Sequence, residues 1–207
     1  MQESAIVFPG VTTGTDLVLG EFVILGQPPR GREPGELETI LGANVVVRSH
    51  TVIYAGNRIG DGLQTGHQVM IREENEIGNN VSIGTGSVIE HHVIIEDDVR
   101  IHTQAFIPEV SILRKGCWIG PRVCITNAKY PLAPGVKESL QGATIGEGAK
   151  IGANATLLPG VCVGAWALVG AGSVVVKDVP AHAVVVGNPA RVINTVEKLP
   201  YSPEGQE

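Results

Sequence analysis

Stepping six residues at a time from Leu41 to Ile125 meets an aliphatic side chain at fourteen of fifteen positions, with Thr65 the exception. The step resumes at Ile145 and runs on through Ile151, Leu157, Val163, Val169 and Val175. An α-helix repeats about every 3.6 residues and an alternating strand every second residue, so neither sustains a beat of six. Glycine often follows the aliphatic directly, as in Ile59-Gly60, Ile77-Gly78, Ile83-Gly84, Ile119-Gly120 and Ile151-Gly152. Four places on stands a small or β-branched residue, such as Val81, Ser87, Ala105, Ala155 or Ser173. Short units of this kind cannot bury an apolar side alone and must stack, which predicts an all-β chain wound as a parallel β-helix.

Three hexads make one triangular coil of eighteen residues, each hexad giving a short strand and a corner. Residues eighteen apart then stack about 4.7–4.9 Å from one another, the spacing of neighbouring strands. Val7, Thr13, Leu19 and Leu25 begin the first coil. Two stretches rich in proline and glycine, about 27–40 and 128–144, break the beat and are expected to leave the prism as external loops. The pattern decays after Val179-Pro180, and the segment from Pro189 to Leu199 predicts a short helix inside a terminal cap of about 181–207. The whole chain, 1–207, reads as one β-helix domain. Three-sided prisms pack around a three-fold axis and bury faces between copies, so a homotrimer is expected.

Composition narrows the partners. Aromatic residues are only 4% while glycines number 27, which suits a thin core of stacked aliphatics. The net charge of −6 and the lack of a basic run argue against a nucleic-acid polymer. Met1 to Pro9 has neither the positive start of a signal peptide nor an apolar run of membrane length, so no membrane association and a cytoplasmic location are expected. Cys117, Cys124 and Cys162 lack metal-like spacing and read as reduced thiols, with Cys117 on an inward slot.

The eighteen-residue step converts the sequence into columns. Glu73, His91, Glu109 and Asn127 fall in one of them, along a single corner that ends where the second loop departs. A carboxylate one coil from an imidazole fixes its tautomer and favours its charged form, the pairing a general base or a substrate-orienting group needs. Solenoid corners are polar in any case, and Arg72 over Glu90 is a cross-coil pair that needs no chemistry, so both readings of the column stand. His102 belongs to another column, between Gly84 and Gly120, with room on both sides. His67 lies where the aliphatic beat fails, a sign of local constraint. Asn57 and Asn75 occupy inward slots one coil apart and predict a buried amide ladder, while His50 and His182 have no ionisable partner in register. His67, His91 and His102 share no column, so no metal site is expected within one subunit.

The hexads, written aliphatic-Gly-x-x-small-x, resemble those of the bacterial hexapeptide-repeat acyltransferases along nearly the whole chain. Tyr54-Ala55-Gly56, Thr65-Gly66-His67, Ile71-Arg72-Glu73, Ile83-Gly84-Thr85 and Val88-Ile89-Glu90-His91 are similar to segments of the N-acetyltransferases acting on nucleotide-linked 3-amino-3,6-dideoxyhexoses. So are Ala105-Phe106-Ile107-Pro108-Glu109 and Thr126-Asn127-Ala128-Lys129-Tyr130-Pro131. Val186-Gly187-Asn188-Pro189-Ala190-Arg191-Val192-Ile193 resembles a stretch widespread among hexapeptide acyltransferases.

The resemblance implies a left-handed parallel β-helix that assembles as a trimer, with acetyl-CoA and active sites between subunits. It implies His91 at the reacting centre, the Asn127 turn beside the thioester, and His102 and Glu109 on the sugar. Gln64, His67, Arg72 and Glu73 are then expected at the nucleotide or its sugar. Lys177 and Arg191 would meet the phosphates of coenzyme A, while the small Gly152, Ala153, Gly170 and Ala171 would let its pantetheine arm approach the backbone. Acetyl transfer to the amine of a dTDP-3-amino-3,6-dideoxyhexose, for a cell-surface glycan, is the implied reaction, with no metal. Relatives often carry aspartate where this chain has Ala128, which leaves the hexose open. Alternatives are acetyl transfer to a sugar hydroxyl or an amino acid, a γ-type carbonic anhydrase, and a non-catalytic scaffold.

Overall fold

A computed structural model describes residues 4–199 of the chain. The strands, most of them two or three residues long, fall into three sheets of nine, eight and ten strands that form the faces of a triangular prism. Successive strands visit the first, second and third sheets in turn, so up to the chain end each strand pairs in parallel with the one a full coil away. Met70 pairs with Val88 and Val88 with Phe106 in the first sheet, Glu76 with Ile94 in the second, and Ser82 with Arg100 in the third. Each of these steps is the eighteen residues expected from the hexads.

From Val46–Val47 to Val174–Val175 the second residue of each two-residue strand points inward, and the six-residue series from Leu41 to Ile125 is buried throughout. Thr65, the one residue out of step, is fully buried, and its Oγ1 accepts the Arg48 N–H at 3.0 Å. Its hydroxyl is therefore satisfied without an aliphatic in that slot. The expected amide ladder is present but runs through the backbone. Asn57 Oδ1 accepts the Asn75 N–H at 3.0 Å, and Asn75 Oδ1 accepts the Val93 N–H at 2.7 Å. Cys117 is buried in the same column system, and burial pushes its thiol up to about 12.

The corners obey a second rule that the aliphatic beat conceals. At fourteen successive corners, every sixth residue from Asn44 to Arg122, φ is positive, between 55° and 87°. Four of these residues are glycine, and most of the others are polar or charged. Val110 is the β-branched exception, in a region that L-residues with branched side chains rarely enter. The glycines that directly follow an aliphatic answer a different demand. A Cβ on Gly152 would lie 2.5 Å from the Ala171 nitrogen of the next coil, so coil stacking itself excludes a side chain there.

Both loops interrupt the coil without disturbing the columns. Ile24 pairs with Val52 and Cys124 with Thr156, so ten and fourteen residues are spliced out between otherwise adjacent coils. The second loop leaves after Asn127, contains one 3-10 turn at Lys137–Ser139, and is closed by the Gln141 N–H donating to the Asn127 carbonyl at 2.9 Å.

The chain end departs from expectation. Residues 189–199 do not form a helix: Ala183–Gly187 extends the third sheet, and Ala190–Thr195 returns antiparallel to it, followed by a single 3-10 turn at Val196–Lys198. The last parallel strand would otherwise expose a row of backbone groups, and the β-branched Val192, Ile193 and Thr195 suit the strand that covers them. That return also gives His182, which has no ionisable partner in register, one from outside the register. Its Nδ1 lies 3.3 Å from Glu197 Oε1, an ionic contact off the line of a hydrogen bond, supplied by the returning segment rather than by a stacked coil. His50, by contrast, has an aromatic neighbour, the Phe22 ring at 5.0 Å. Residues 200–207 of the expected cap lie outside the described residues.

Candidate active site

The corner between the first and second sheets carries the ionisable column. Arg72 and Glu73 follow the strand Met70–Ile71, His91 follows Val88–Ile89, Glu109 follows Phe106–Ile107, and Asn127 follows Cys124–Ile125. Asn127 Nδ2 donates to Glu109 Oε2 at 2.5 Å, and the other carboxylate oxygen lies 3.5 Å from His91 Nε2. All three side chains are half-buried, so they are screened from water but open to a ligand. The Asn127 carbonyl is tied by Gln141, so the position that aims the carboxylate is held at backbone and side chain.

Two residues that the column count missed complete the edge. His92 Nδ1 lies 2.8 Å from His91 Nδ1, and His92 Nε2 lies 3.6 Å from Glu74 Oε2. Both sit at positive-φ corners, one place past the counted column, which is why the eighteen-residue register alone did not select them. The two Nδ1 atoms can share one hydrogen, donated by either ring. One coil below, Glu73 takes two bonds from the Arg72 guanidinium, both 2.8 Å, and Arg72 also reaches Glu90 at 3.2 Å. Partial burial pushes the Glu73 carboxyl up, but the bonds from Arg72 and the fields of Arg72 and His91 outweigh it and hold the group below the usual carboxylate range.

The remaining candidates divide between edges. Gln64 lies on the outer side of the third sheet, and His67, His102, Gly152, Ala153, Gly170 and Ala171 lie at the corner between the third and first sheets. His102 packs against Trp118, ring centroids 4.6 Å apart, and Ser49 Oγ contacts His67 Nδ1 at 2.8 Å. Arg191 is exposed on the returning strand opposite Val186, beside Gly170. Lys177 does not join them: it follows Val174–Val175 on the first-to-second corner, the edge of His91 and Asn127. Within one chain, then, His102 and Glu109 do not face a common point, and Lys177 is parted from the small residues. Among the described residues, no group of three or more His, Cys, Asp or Glu side chains gathers as for a metal, and no helix is long and apolar enough to cross a membrane.

Residues 76–109 and 142–177 match the family of the bacterial transferase hexapeptide, described as six repeats. With its three parallel sheets, the chain has the fold of a left-handed parallel β-helix, and about a third of it matches that hexapeptide repeat. Serine acetyltransferase 2 of Arabidopsis thaliana is 56% identical over 54 residues, 26% of this chain and 17% of that protein. The dTDP-3-amino-3,6-dideoxy-alpha-D-galactopyranose 3-N-acetyltransferase of Aneurinibacillus thermoaerophilus is 47% identical over 55 residues, 27% of this chain and 29% of that protein. Among solved structures, the UDP-N-acetylglucosamine acyltransferase of Campylobacter jejuni superposes with a TM-score of 0.64 at 14% identity, covering 97% of this chain and 78% of that one, a likeness of fold. The chain spans less than a third of the length of either curated relative.

Proposed function

We propose that the chain transfers an acetyl group from acetyl-CoA to the amine of a nucleotide-linked amino-deoxyhexose, a dTDP-3-amino-3,6-dideoxyhexose first among them. The observation that carries this reading is the Asn127–Glu109–His91 chain of contacts on one edge. The likeness to the 3-N-acetyltransferase supports the acceptor. Acetyl-CoA supplies the acyl carbon and a thiolate leaving group. A new C–N bond forms as the C–S bond breaks, and the amine gives up one proton. His91 receives that proton and shares it with His92, Glu109 faces the resulting charge, and Asn127 keeps Glu109 in place. An amine with a pKa near 8 is already partly neutral at pH 7, so a strong base is not demanded.

Coenzyme A fits the third-to-first corner on chemical grounds. Gly152, Ala153, Gly170 and Ala171 present little side chain there, and Arg191 stands at the same end for a phosphate. Because these residues and His102 lie on a different edge from His91, a site that uses both edges needs a second copy of the chain. This supports a homotrimer with sites between subunits. Light scattering reading a monomer at assay concentrations, with full activity, would refute that assembly.

A second reading, acetyl transfer to serine or another small acceptor, is favoured by the 56% identity to a serine acetyltransferase. A thiol-release assay with acetyl-CoA separates the two. The first reading expects turnover of nucleotide amino-hexoses and none of serine; the reverse result overturns it.

A further inference from the structure

A groove of about 380 Å³ runs along the outer side of the third sheet, beside its corner with the first. Arg48, Arg100, His67 and His102 line it, and no residue of the lining is acidic. That absence is unusual in a chain with 21 Asp and Glu and a net charge of −6. The larger groove, on the second sheet, sets Glu76, Glu96 and Asp97 beside Arg58 and Lys115, so acids outnumber cations there.

The floor of the cationic groove follows from the register. Arg48, Gly66, Gly84 and His102 each come one residue after successive third-sheet strands, so they form one column. Three coil spacings separate Arg48 from His102, roughly 14 Å. The two positions between them carry no side chain, so a rod-like ligand can lie on the backbone with a cation at one end and an imidazole at the other. Arg48 Nη1 donates to the Thr65 carbonyl at 2.5 Å, which bends this guanidinium over the floor. The Arg100 side chain flanks the floor and makes no hydrogen bond or ion pair among the described residues, its backbone N–H being spent on the Cys117 carbonyl. Ser49 engages His67 Nδ1 and leaves Nε2 for a ligand. Behind His102 lies the Trp118 indole, directly paired with Arg100 in the sheet.

We propose that this groove binds the diphosphate of a nucleotide, with Arg48 and Arg100 as its phosphate ligands and the His102–Trp118 pair as the platform for the base. Guanidinium groups pair with phosphate oxygens through two parallel N–H bonds, and a bare aromatic edge takes any base by stacking. The chemistry is shared by the nucleoside diphosphate of an acceptor and by the adenosine end of coenzyme A. The groove begins a coil before Glu73 and overlaps the coils of Glu73 to Glu109, well before the small residues at 152–171, which favours the acceptor. In that respect the inference rests on the transfer reading given above.

Calorimetric titration of the full chain with UDP, dTDP and coenzyme A, each alone, tests it at low and high salt. The expected result is that both nucleoside diphosphates bind, more weakly at high salt. An Arg48→Gln/Arg100→Gln double variant should weaken them by at least about tenfold, leaving coenzyme A within about twofold. Arg114→Gln, which removes a cation paired with Glu96 outside the groove, should change neither. Nucleoside diphosphates that fail to bind, or that bind the double variant as well as the parent, overturn the proposal. Loss confined to coenzyme A overturns the assignment to the acceptor. The two readings fail separately. Arginine-dependent nucleotide binding without any acyl transfer would sink the transfer reading alone, and amino-sugar transfer with unchanged KM in the double variant would sink the groove alone.

Discussion

The two edges of the prism that flank the first sheet are made by the same repeat and solve opposite problems. On the first-to-second edge, carboxylates, imidazoles and an amide satisfy one another across coils, from Glu74 through His92, His91 and Glu109 to Asn127. On the third-to-first edge, glycine clears the same height, and cations stand beside it without acidic partners. A self-satisfied edge holds its groups at fixed distances, which suits proton transfer. A bare edge leaves its cations to whatever arrives, which suits anion binding. The difference between the two edges therefore lies in whether a corner residue finds its partner one coil away.

Replacing His91 by alanine should strike hardest at this contrast. In the thiol-release assay kcat/KM is expected to fall at least about a hundredfold, the usual scale for a general base. Nucleoside diphosphate affinity should be untouched, and His91→Asn losing less than about tenfold would rule out an essential base. Gly84→Val attacks the other edge through its backbone: a Cβ there lies 2.6 Å from the His102 carbonyl carbon. Denaturant unfolding should show a loss of about 1–3 kcal/mol, with nucleotide binding abolished, because the added side chain both spreads the coils and fills the floor. Next in size is Asn127→Ala, which frees Glu109 from its 2.5 Å bond. A loss near tenfold in kcat/KM, about 1.4 kcal/mol, is expected, carried by kcat rather than KM.

The smallest effect belongs to Glu73. Since its carboxyl is held below the usual range, the stability that its pairing with Arg72 contributes is present above that range and is lost as pH falls through the lower, folded value. Glu73→Gln should flatten the acid limb of the stability profile by no more than about 1 kcal/mol, and an unchanged limb would show the pair to be silent.

The prism and its columns were legible because a period of six admits one register. Once Leu41 and Ile125 are known to point inward, the neighbours of His91 follow by arithmetic. Arg48 was equally legible, three full coils before His102 with Gly66 and Gly84 between, but a lone arginine after an apolar strand draws no notice until the missing acids are seen in space. His92 and Glu74 were hidden by the left-handed corner, which turns the residue beside the column back toward it. Residues 189–199 carry a weak apolar stripe of their own, which suggests a helix where the chain forms a returning strand. What decides its form is the open edge of the third sheet, to which only the folded coils give existence. Lys177 is parted from Gly152 and Ala153 because it follows a first-sheet strand and they follow a third-sheet one.

The second loop has a practical consequence. Its fourteen spliced residues rejoin the coil at the Gln141–Asn127 bond, and Cys124 and Thr156 pair as though the segment were not there. At its outer reach Leu132 stands 97% exposed. A protease site, a fluorophore or a whole guest domain placed there would ride outside the prism without shifting a single strand against its neighbour. The wall of the molecule and the length of its chain can thus be altered independently.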